Sequence, residues 1–422
     1  MVKSNKTIMK ILTLSTHDSS GGAARSAHNL YGSLKDLGIN SEMLVSTKAT
    51  TDYGVRGPET TMEKVRSKLA WRIDALPNRF LSSQNENLHS PAWFSNVKAN
   101  EIMKINPDII HIHWVQGGFL SINTISKLNK PIVWTFHDMW PFSGAEHYSD
   151  GSKRYKDGYN NNNRPDGESG FDLNRWVWKR KMKAWSNIEN LTIVTPSKWM
   201  AQCASESVLF KDRRIEVVPV GLNHDLYRPR NKNLIREILG MPLDKKLILI
   251  GAMNFLNDKR KGGHLLKKAF DTLSKSYSSE NVEVYVLGIS APRDEENFGF
   301  KTHYYGANRD DLSLALLYSA VDVFVAPSVE ENFAGTVFES LSCGTPVVAF
   351  DIGGMPDMIT HRQNGYLAKP FNTNDLAAGI QWILDGDSWQ LLSKNARAFV
   401  ESECTLEIQA NRYNEIYLSI LG

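Results

Sequence analysis

The feature that most narrows the fold of this chain is a recurring run dense in Ile, Val and Leu. Residues 8–14, 109–114, 132–136, 191–195, 247–251, 282–287, 321–326 and 345–350 all carry it. A strand with one wet face alternates apolar and polar residues, whereas a continuous apolar run belongs to a strand covered on both faces. Amphipathic stretches separate the runs, and strand–helix–strand repetition predicts parallel sheets with right-handed crossovers. At 422 residues the chain is long for one such domain and suited to two. The strand-like Ile215-Glu216-Val217-Val218 ends at Pro219 and is followed by Gly221, Asn223 and Pro229, which is turn chemistry. A second strand-plus-glycine pattern opens at Leu247. The expected architecture is therefore α/β, with Rossmann-like, doubly wound domains over 1–220 and 221–404 and a helix-like tail over 405–422.

No apolar run approaches the roughly 18 to 20 residues needed to span a bilayer. The stretch after Met1 carries Lys10 and meets Gly21 and Gly22 soon afterwards, so it reads as a first strand and not as a secretory leader. Cys203, Cys343 and Cys404 are odd in number and far apart, which supports neither a disulfide framework nor a metal knuckle. A reducing, cytoplasmic setting is expected. Charge is uneven: residues 1–220 hold 29 Lys+Arg against 21 Asp+Glu, or +8, and the remainder 20 against 25, or −5. A basic first half suits an anionic partner such as a membrane surface, a lipid phosphate or an acidic glycan. The same asymmetry is also common between domains that bind nothing anionic.

Several clusters carry chemistry. In Pro327-Ser328-Val329-Glu330-Glu331-Asn332-Phe333-Ala334-Gly335-Thr336-Val337-Phe338-Glu339, a strand end leads into a helix opening near Gly335. Ligands of doubly wound folds sit beyond the carboxyl ends of strands. A carboxylate accepts two hydroxyl hydrogen bonds in one plane, so Glu331 and Glu339 suit vicinal diols of a ribose or hexose. Small residues at Ala334, Gly335 and Thr336 let a pyrophosphate approach helix amides. In Asp258-Lys259-Arg260-Lys261-Gly262-Gly263, side-chain charge and a helix opening make an anion site, although no Gly-Lys-Ser/Thr follows and it is not a P-loop. The anion expected there is the diphosphate of a leaving nucleotide. Gly21-Gly22 after the first strand permits close backbone approach or tight packing, and the lack of Gly-x-Gly-x-x-Gly argues against a dinucleotide dehydrogenase. His137, in Thr135-Phe136-His137-Asp138 at a strand end, is placed to meet a sugar hydroxyl or a developing charge. His111 and His113 share one strand face but lack an evident third metal ligand and read as structural.

Two segments depart from the pattern. Residues 144–170 are polar, with four successive asparagines, and read as a long, mobile surface loop. Arg175-Trp176-Val177-Trp178-Lys179-Arg180-Lys181-Met182-Lys183-Ala184-Trp185 interleaves five cations with three tryptophans. It could lie on an anionic bilayer, or Trp178, Met182 and Trp185 at i, i+4 and i+7 could form a core stripe, the reading preferred here. Residues 64–79 raise the same question more weakly.

Together these residues resemble the retaining GT-B glycosyltransferases of family 4, the "group 1" class. The resemblance is densest over 320–367, in Ala320-Val321-Asp322-Val323-Phe324-Val325-Ala326-Pro327-Ser328, Glu331-x7-Glu339, Cys343-Gly344-Thr345-Pro346-Val347-Val348-Ala349 and Gly353-Gly354. Trp134-Thr135-Phe136-His137-Asp138-Met139-Trp140-Pro141-Phe142 and Arg260-Lys261-Gly262 resemble enzymes of bacterial surface-polysaccharide assembly. The resemblance implies two domains facing across a cleft and a C-terminal helix returning to the first. It also implies retaining, metal-independent transfer from a nucleoside-diphosphate sugar to a glycan or lipid-linked acceptor. No cofactor and no nucleic acid are implied. Catalytic roles would fall to His137, Lys261 and Glu331. Gly22, Arg260, Lys261, Glu331, Gly335, Thr336 and Glu339 would hold the donor, with Glu339 on the ribose, and Gly21 and Gly22 would border the acceptor. Three positions depart from the family's pattern. Ala252 stands where an arginine is common, with Arg260 as its substitute. Asp357 replaces the usual glutamate. The segment with Ala145, Glu146 and His147 lacks the cysteines of related enzymes. A GT-B phosphorylase, a sugar-nucleotide epimerase and a non-catalytic partner subunit share enough of this pattern to remain alternatives.

Overall fold

The computed structural model describes residues 9–251, 258–290, 298–306 and 310–422. The chain divides into two compact units, Met1–Gly221 with Gln409–Gly422, and Leu222–Ile408.

The first unit holds strands β1 (Lys10–His17), β2 (Asn40–Thr47), β3 (Val55–Arg56), β4 (Ile109–Ile112), β5 (Ile132–Thr135), β6 (Leu191–Thr195) and β7 (Arg214–Val217). They form a parallel sheet in the order β3-β2-β1-β4-β5-β6-β7. Strands β4, β5 and β6 are buried at every position, as strands covered on both faces are. The second unit holds β8 (Lys246–Gly251), β9 (Val282–Leu287), β10 (Lys301–Tyr305), β11 (Val323–Ala326), β12 (Val347–Phe350) and β13 (Gly365–Ala368), parallel in the order β10-β9-β8-β11-β12-β13. In both sheets the order reverses beside the first strand, between β1 and β4 and between β8 and β11. Such switch points open a crevice at the strands' carboxyl ends, because successive crossovers leave in opposite directions. Gly21-Gly22 follows β1, Lys261 follows β8 and Glu331 follows β11, so the chemistry-bearing loops leave both switch points.

The helix Leu406–Leu421 contributes Ala410, Tyr413, Ile416 and Tyr417 to a first-unit core with Ile11, Leu30, Leu34, Ile109, Val133 and Val194. All three cysteines are buried and none forms a disulfide. Among the described residues no helix is long and apolar enough to cross a membrane.

Two expectations are corrected. The segment 144–170 is not a mobile surface loop over its whole length. Ala145, Tyr155 and Tyr159 enter the main core, and buried Arg154 pairs with Asp172. Only its later part, with the asparagines and Pro165, is largely exposed. The tryptophan-rich helix Leu173–Trp185 is a core helix, but its inward register is Leu173, Val177, Lys181 and Trp185, with Trp178 and Met182 half-buried. Lys181 is fully buried and donates to the carbonyls of Ser143 (3.1 Å), Gly144 (2.6 Å) and Trp140. Burial pushes its pKa well down, yet three carbonyl acceptors call for the three donors of an ammonium. The cation closes a turn whose carbonyls would otherwise be orphaned.

Candidate functional site

In the second unit, Asp258 caps a short 3-10 turn, Lys259–Lys261, by accepting from the Arg260 amide. Gly262 follows at φ 73° and the helix Gly263–Leu273 begins. A Cβ on Gly262 would stand 1.8 Å from the Pro327 carbonyl oxygen, so only glycine lets the turn press against the end of β11. The Val329 amide donates to the Arg260 carbonyl at 2.8 Å, tying the two loops together. The Lys261 ammonium thereby reaches Glu331, donating to Oε2 at 2.6 Å. Arg260 donates to the same oxygen at 3.2 Å and to the Glu330 carbonyl at 3.1 Å. The Glu331 backbone is fixed as well: its carbonyl accepts from the Gly354 amide at 3.0 Å, and a Cβ on Gly353 would lie 2.1 Å from that carbonyl oxygen. Gly353-Gly354 thus has a positional reason beside Glu331.

Burial pushes the Glu331 carboxyl up, but the charges of Lys261 and Arg260 and the Lys261 hydrogen bond hold it down at about 2. Glu331 is consequently an anion at any physiological pH. A depressed folded-state pKa stabilises above the unfolded carboxyl value of about 4.3 and ceases to do so as pH falls toward 2. The expected contribution is on the order of 3 kcal/mol. Urea midpoints of wild type and Glu331→Gln should therefore converge between about pH 5 and pH 2. A difference that does not change with pH would remove the ion-pair account.

Glu339 lies on the helix Gly335–Ser342, which starts directly after the Glu331 loop. It is buried and accepts from the Tyr318 hydroxyl at Oε2, 3.1 Å. Gly335 and Thr336 form the first turn, and the N-cap residue Ala334 provides no side-chain acceptor. A Cβ on Gly335 would meet nothing nearer than Glu339 Oε1 at 3.8 Å. Lys261, Arg260 and Glu331 are therefore in direct contact, with Gly335, Thr336 and Glu339 on the helix that follows. Ala252 lies outside the described residues.

In the first unit, Gly21 caps the helix Gly22–Asp36 at φ 88°. A Cβ on Gly21 or Gly22 would meet nothing within 4 Å. Of the two sequence readings, tight helix–strand packing is thus excluded, and the glycines leave an open helix start. His137 is half-buried just beyond β5, with Nε2 2.9 Å from His113 Nδ1. Burial pushes His137 down to about 4 and His111 to about 3, and His113 also lies well below its usual value. All three rings are neutral near pH 7. His113 Nε2 is buried with no hydrogen-bond partner among the described residues. A stranded N–H costs more than a bare ring nitrogen, so the His113 proton belongs on Nδ1 and is donated to His137. The Nε2 of His137 is then occupied as an acceptor. His111 has both nitrogens engaged, by Thr135 (2.8 Å) and Tyr417 (2.7 Å), and is structural. Among the described residues no group of three or more His, Cys, Asp or Glu is placed to hold a metal ion.

Sequence reasoning missed a buried line behind His137. His147 Nδ1 lies 2.7 Å from Asp138 Oδ2, and His147 Nε2 lies 2.8 Å from Ser90 Oγ. The Trp140 indole, stacked on His147, donates to the Ser90 carbonyl at 2.8 Å. No spacing connects Ser90 with His147, so only the fold reveals the arrangement.

Comparison with known proteins agrees with these elements. Residues 20–226 match the family described as Glycosyltransferase Family 4, and residues 244–386 the family described as Glycosyl transferases group 1. An uncharacterized glycosyltransferase of Methanocaldococcus jannaschii is 25% identical over 66% of this chain and 66% of its own length. The D-inositol 3-phosphate glycosyltransferases that also match are spanned over 39% to 65% of their length, so the chain covers less than two thirds of these relatives. Among solved structures, sucrose-phosphate synthase of Thermosynechococcus elongatus superposes with a TM-score of 0.66 at 19% identity, covering 98% of this chain and 99% of that one. Anabaena HepE in complex with UDP and glucose superposes with a TM-score of 0.63 at 17% identity, covering 97% and 100%. The fold is GT-B.

Proposed function

We propose, on the premise of a GT-B fold whose two halves match glycosyltransferase families, that this chain is a glycosyltransferase using a nucleoside-diphosphate sugar. The observation that carries the reading is the convergence of Lys261 and Arg260 on Glu331 at the switch point of the second sheet. Both cations meet Glu331 there, and Arg260 also pairs with Asp258 at 3.4 Å; their N–H groups are the donors a diphosphate would meet. The uncapped first turn at Gly335 and Thr336 adds backbone donors for the same group. Glu331 offers its remaining acceptor capacity to hydroxyls of the transferred sugar. Glu339, oriented by Tyr318, takes the ribose. HepE, which shares the fold, was solved with UDP and glucose, and this supports a nucleotide-sugar donor.

The reading includes retention of anomeric configuration. The anomeric carbon–phosphate oxygen bond breaks, and the acceptor hydroxyl oxygen bonds to that carbon on the same face. The acceptor proton passes to the departing phosphate oxygen. Lys261 and Arg260 stabilise the charge that grows on the diphosphate, so no metal is required. His137 hydrogen-bonds an oxygen of the sugar and is not a base. The acceptor is a glycan or lipid-linked glycan of surface-polysaccharide assembly, handled at an anionic membrane face beside Gly21 and Gly22.

Calorimetric titration with UDP, GDP and ADP, followed by their sugars, tests the donor reading. One nucleoside diphosphate should bind, and Glu339→Ala should weaken it about tenfold or more while changing turnover of bound donor little, because ribose contacts are uniform between ground and transition states. Failure of every nucleoside diphosphate to bind would refute the proposal. An unaltered dissociation constant in the variant would remove only the ribose role.

A further inference from the structure

We infer that the helix Thr61–Asp74 and the turn Leu76–Phe80 form a surface that lies on an anionic lipid bilayer. The inference rests on the reading above only in its choice of a membrane-borne acceptor. The helix begins independently of the core through a full capping box, in which Thr60 and Glu63 satisfy each other's backbone amides. It is anchored along one narrow edge. Trp71 covers Gly117, where a Cβ would stand 2.2 Å from the indole, and a Cβ on Gly118 would meet the Ala70 carbonyl at 2.4 Å. Buried Asp74 accepts from the amides of Trp93 (2.9 Å) and Phe94 (3.1 Å).

Only Ala70 and Asp74 of this helix are buried. Met62, Val65 and Leu69, at i, i+3 and i+7, share one stripe and are 82%, 50% and 49% exposed. Leu76 (40%) and Phe80 (68%) extend the apolar surface. Lys64, Lys68 and Arg72, at i, i+4 and i+8, form a second stripe beside the first, and Arg66 and Arg79 are exposed as well. Of the two acids in the segment, Asp74 is buried and Glu63 is spent on the capping box. Apolar residues protruding beside a row of cations, rather than lining a groove, fit an interface of acyl chains and phosphate headgroups. Long cationic side chains can reach headgroups while the apolar stripe sinks below them. Trp71 also packs near His17 at the end of β1 and Trp114 beyond β4, with ring centroids 6.3 Å and 6.1 Å apart. The surface thus borders the strand ends that lead to Gly21 and Gly22, the acceptor side of the proposed reaction.

The test is sedimentation of the full chain with phosphatidylcholine–phosphatidylglycerol vesicles and with pure phosphatidylcholine vesicles. Binding is expected on the anionic vesicles at low salt and should weaken as salt rises. The Met62→Glu/Leu69→Glu and Lys64→Glu/Lys68→Glu/Arg72→Glu variants should each lower the bound fraction about tenfold, with nucleoside-diphosphate affinity unaltered as the measure of an intact fold. No binding, equal binding to neutral vesicles, or variants that bind as wild type would overturn the inference. So would a wild-type dimer, seen by analytical ultracentrifugation, that Met62→Glu/Leu69→Glu dissociates, because a second copy would then be the occupant. A chain that binds vesicles but no nucleotide would keep this surface and lose the donor reading; the converse would do the reverse.

Discussion

Replacing Lys261 by alanine is expected to lower kcat by on the order of 10² to 10³, the loss typical of removing one preorganised charge-stabilising donor. Its ammonium is 2.6 Å from Glu331 and is held by a turn that glycine alone can close against Pro327. That fixed position is what makes it effective, since no reorganisation is needed when charge develops on the leaving diphosphate. Arg260 remains on Glu331 in the variant, so the pocket keeps a cation and donor binding should weaken less than turnover. Lys261→Arg should recover only part of the rate, because a planar fork cannot reproduce a point charge at the same place. Single-turnover rates with saturating donor separate the two effects. Turnover equal to wild type in Lys261→Ala would show that the lysine serves only to neutralise Glu331.

Gly262→Ala should be the most damaging substitution for the second unit that leaves every charge in place. The new methyl would stand 1.8 Å from the Pro327 carbonyl oxygen, and alanine would be forced to φ 73°. Backbone must move, because neither collision partner is a flexible side-chain end. A destabilisation of about 4 kcal/mol is expected from clash plus left-handed strain. Because the Arg260 carbonyl holds the Val329 amide, the shift should separate Lys261 from Glu331 and weaken nucleotide binding in parallel. Calorimetric melting and nucleotide titration of the same preparation check this. A variant with the wild-type melting temperature and affinity would mean that the two loops do not press together as described.

Much of the second unit could be read from its sequence, because doubly wound sheets place ligands at strand ends and this chain concentrates charge there. Lys261, Glu331 and Glu339 each come after an apolar run, so strand and candidate site are legible together. The strands β2, β10 and β13 were harder. β10 and β13 are sheet edges, and β2 has beyond it only the two-residue β3. In β2 and β10 polar residues dilute the apolar run, whereas β13 is only the short Gly365-Tyr366-Leu367-Ala368. The inward place of Lys181 is illegible for a different reason. A lysine in the inward register looks like an error until three carbonyls from about forty residues away are seen around it, and no local pattern announces them. The same local view hid the contrast between the two cationic helices. Leu173–Trp185, richer in tryptophan, is built into the core, whereas Thr61–Asp74 leaves its apolar stripe in solvent. Composition treats them alike; the glycines that admit Trp71 and Ala70 decide which edge is bound.

The C-terminal helix has a consequence for synthesis. Tyr413 and Tyr417 close the first unit's core over His111, yet they emerge from the ribosome only after every residue of the second unit. The second unit can fold as soon as its own chain is out, while the earlier-made first unit must wait with Ile11, Ile109, Val133 and Val194 uncovered. The unit translated first is thus not completed first. In the interval the nascent protein exposes an apolar seat shaped for one helix, which is a natural point of engagement for a chaperone.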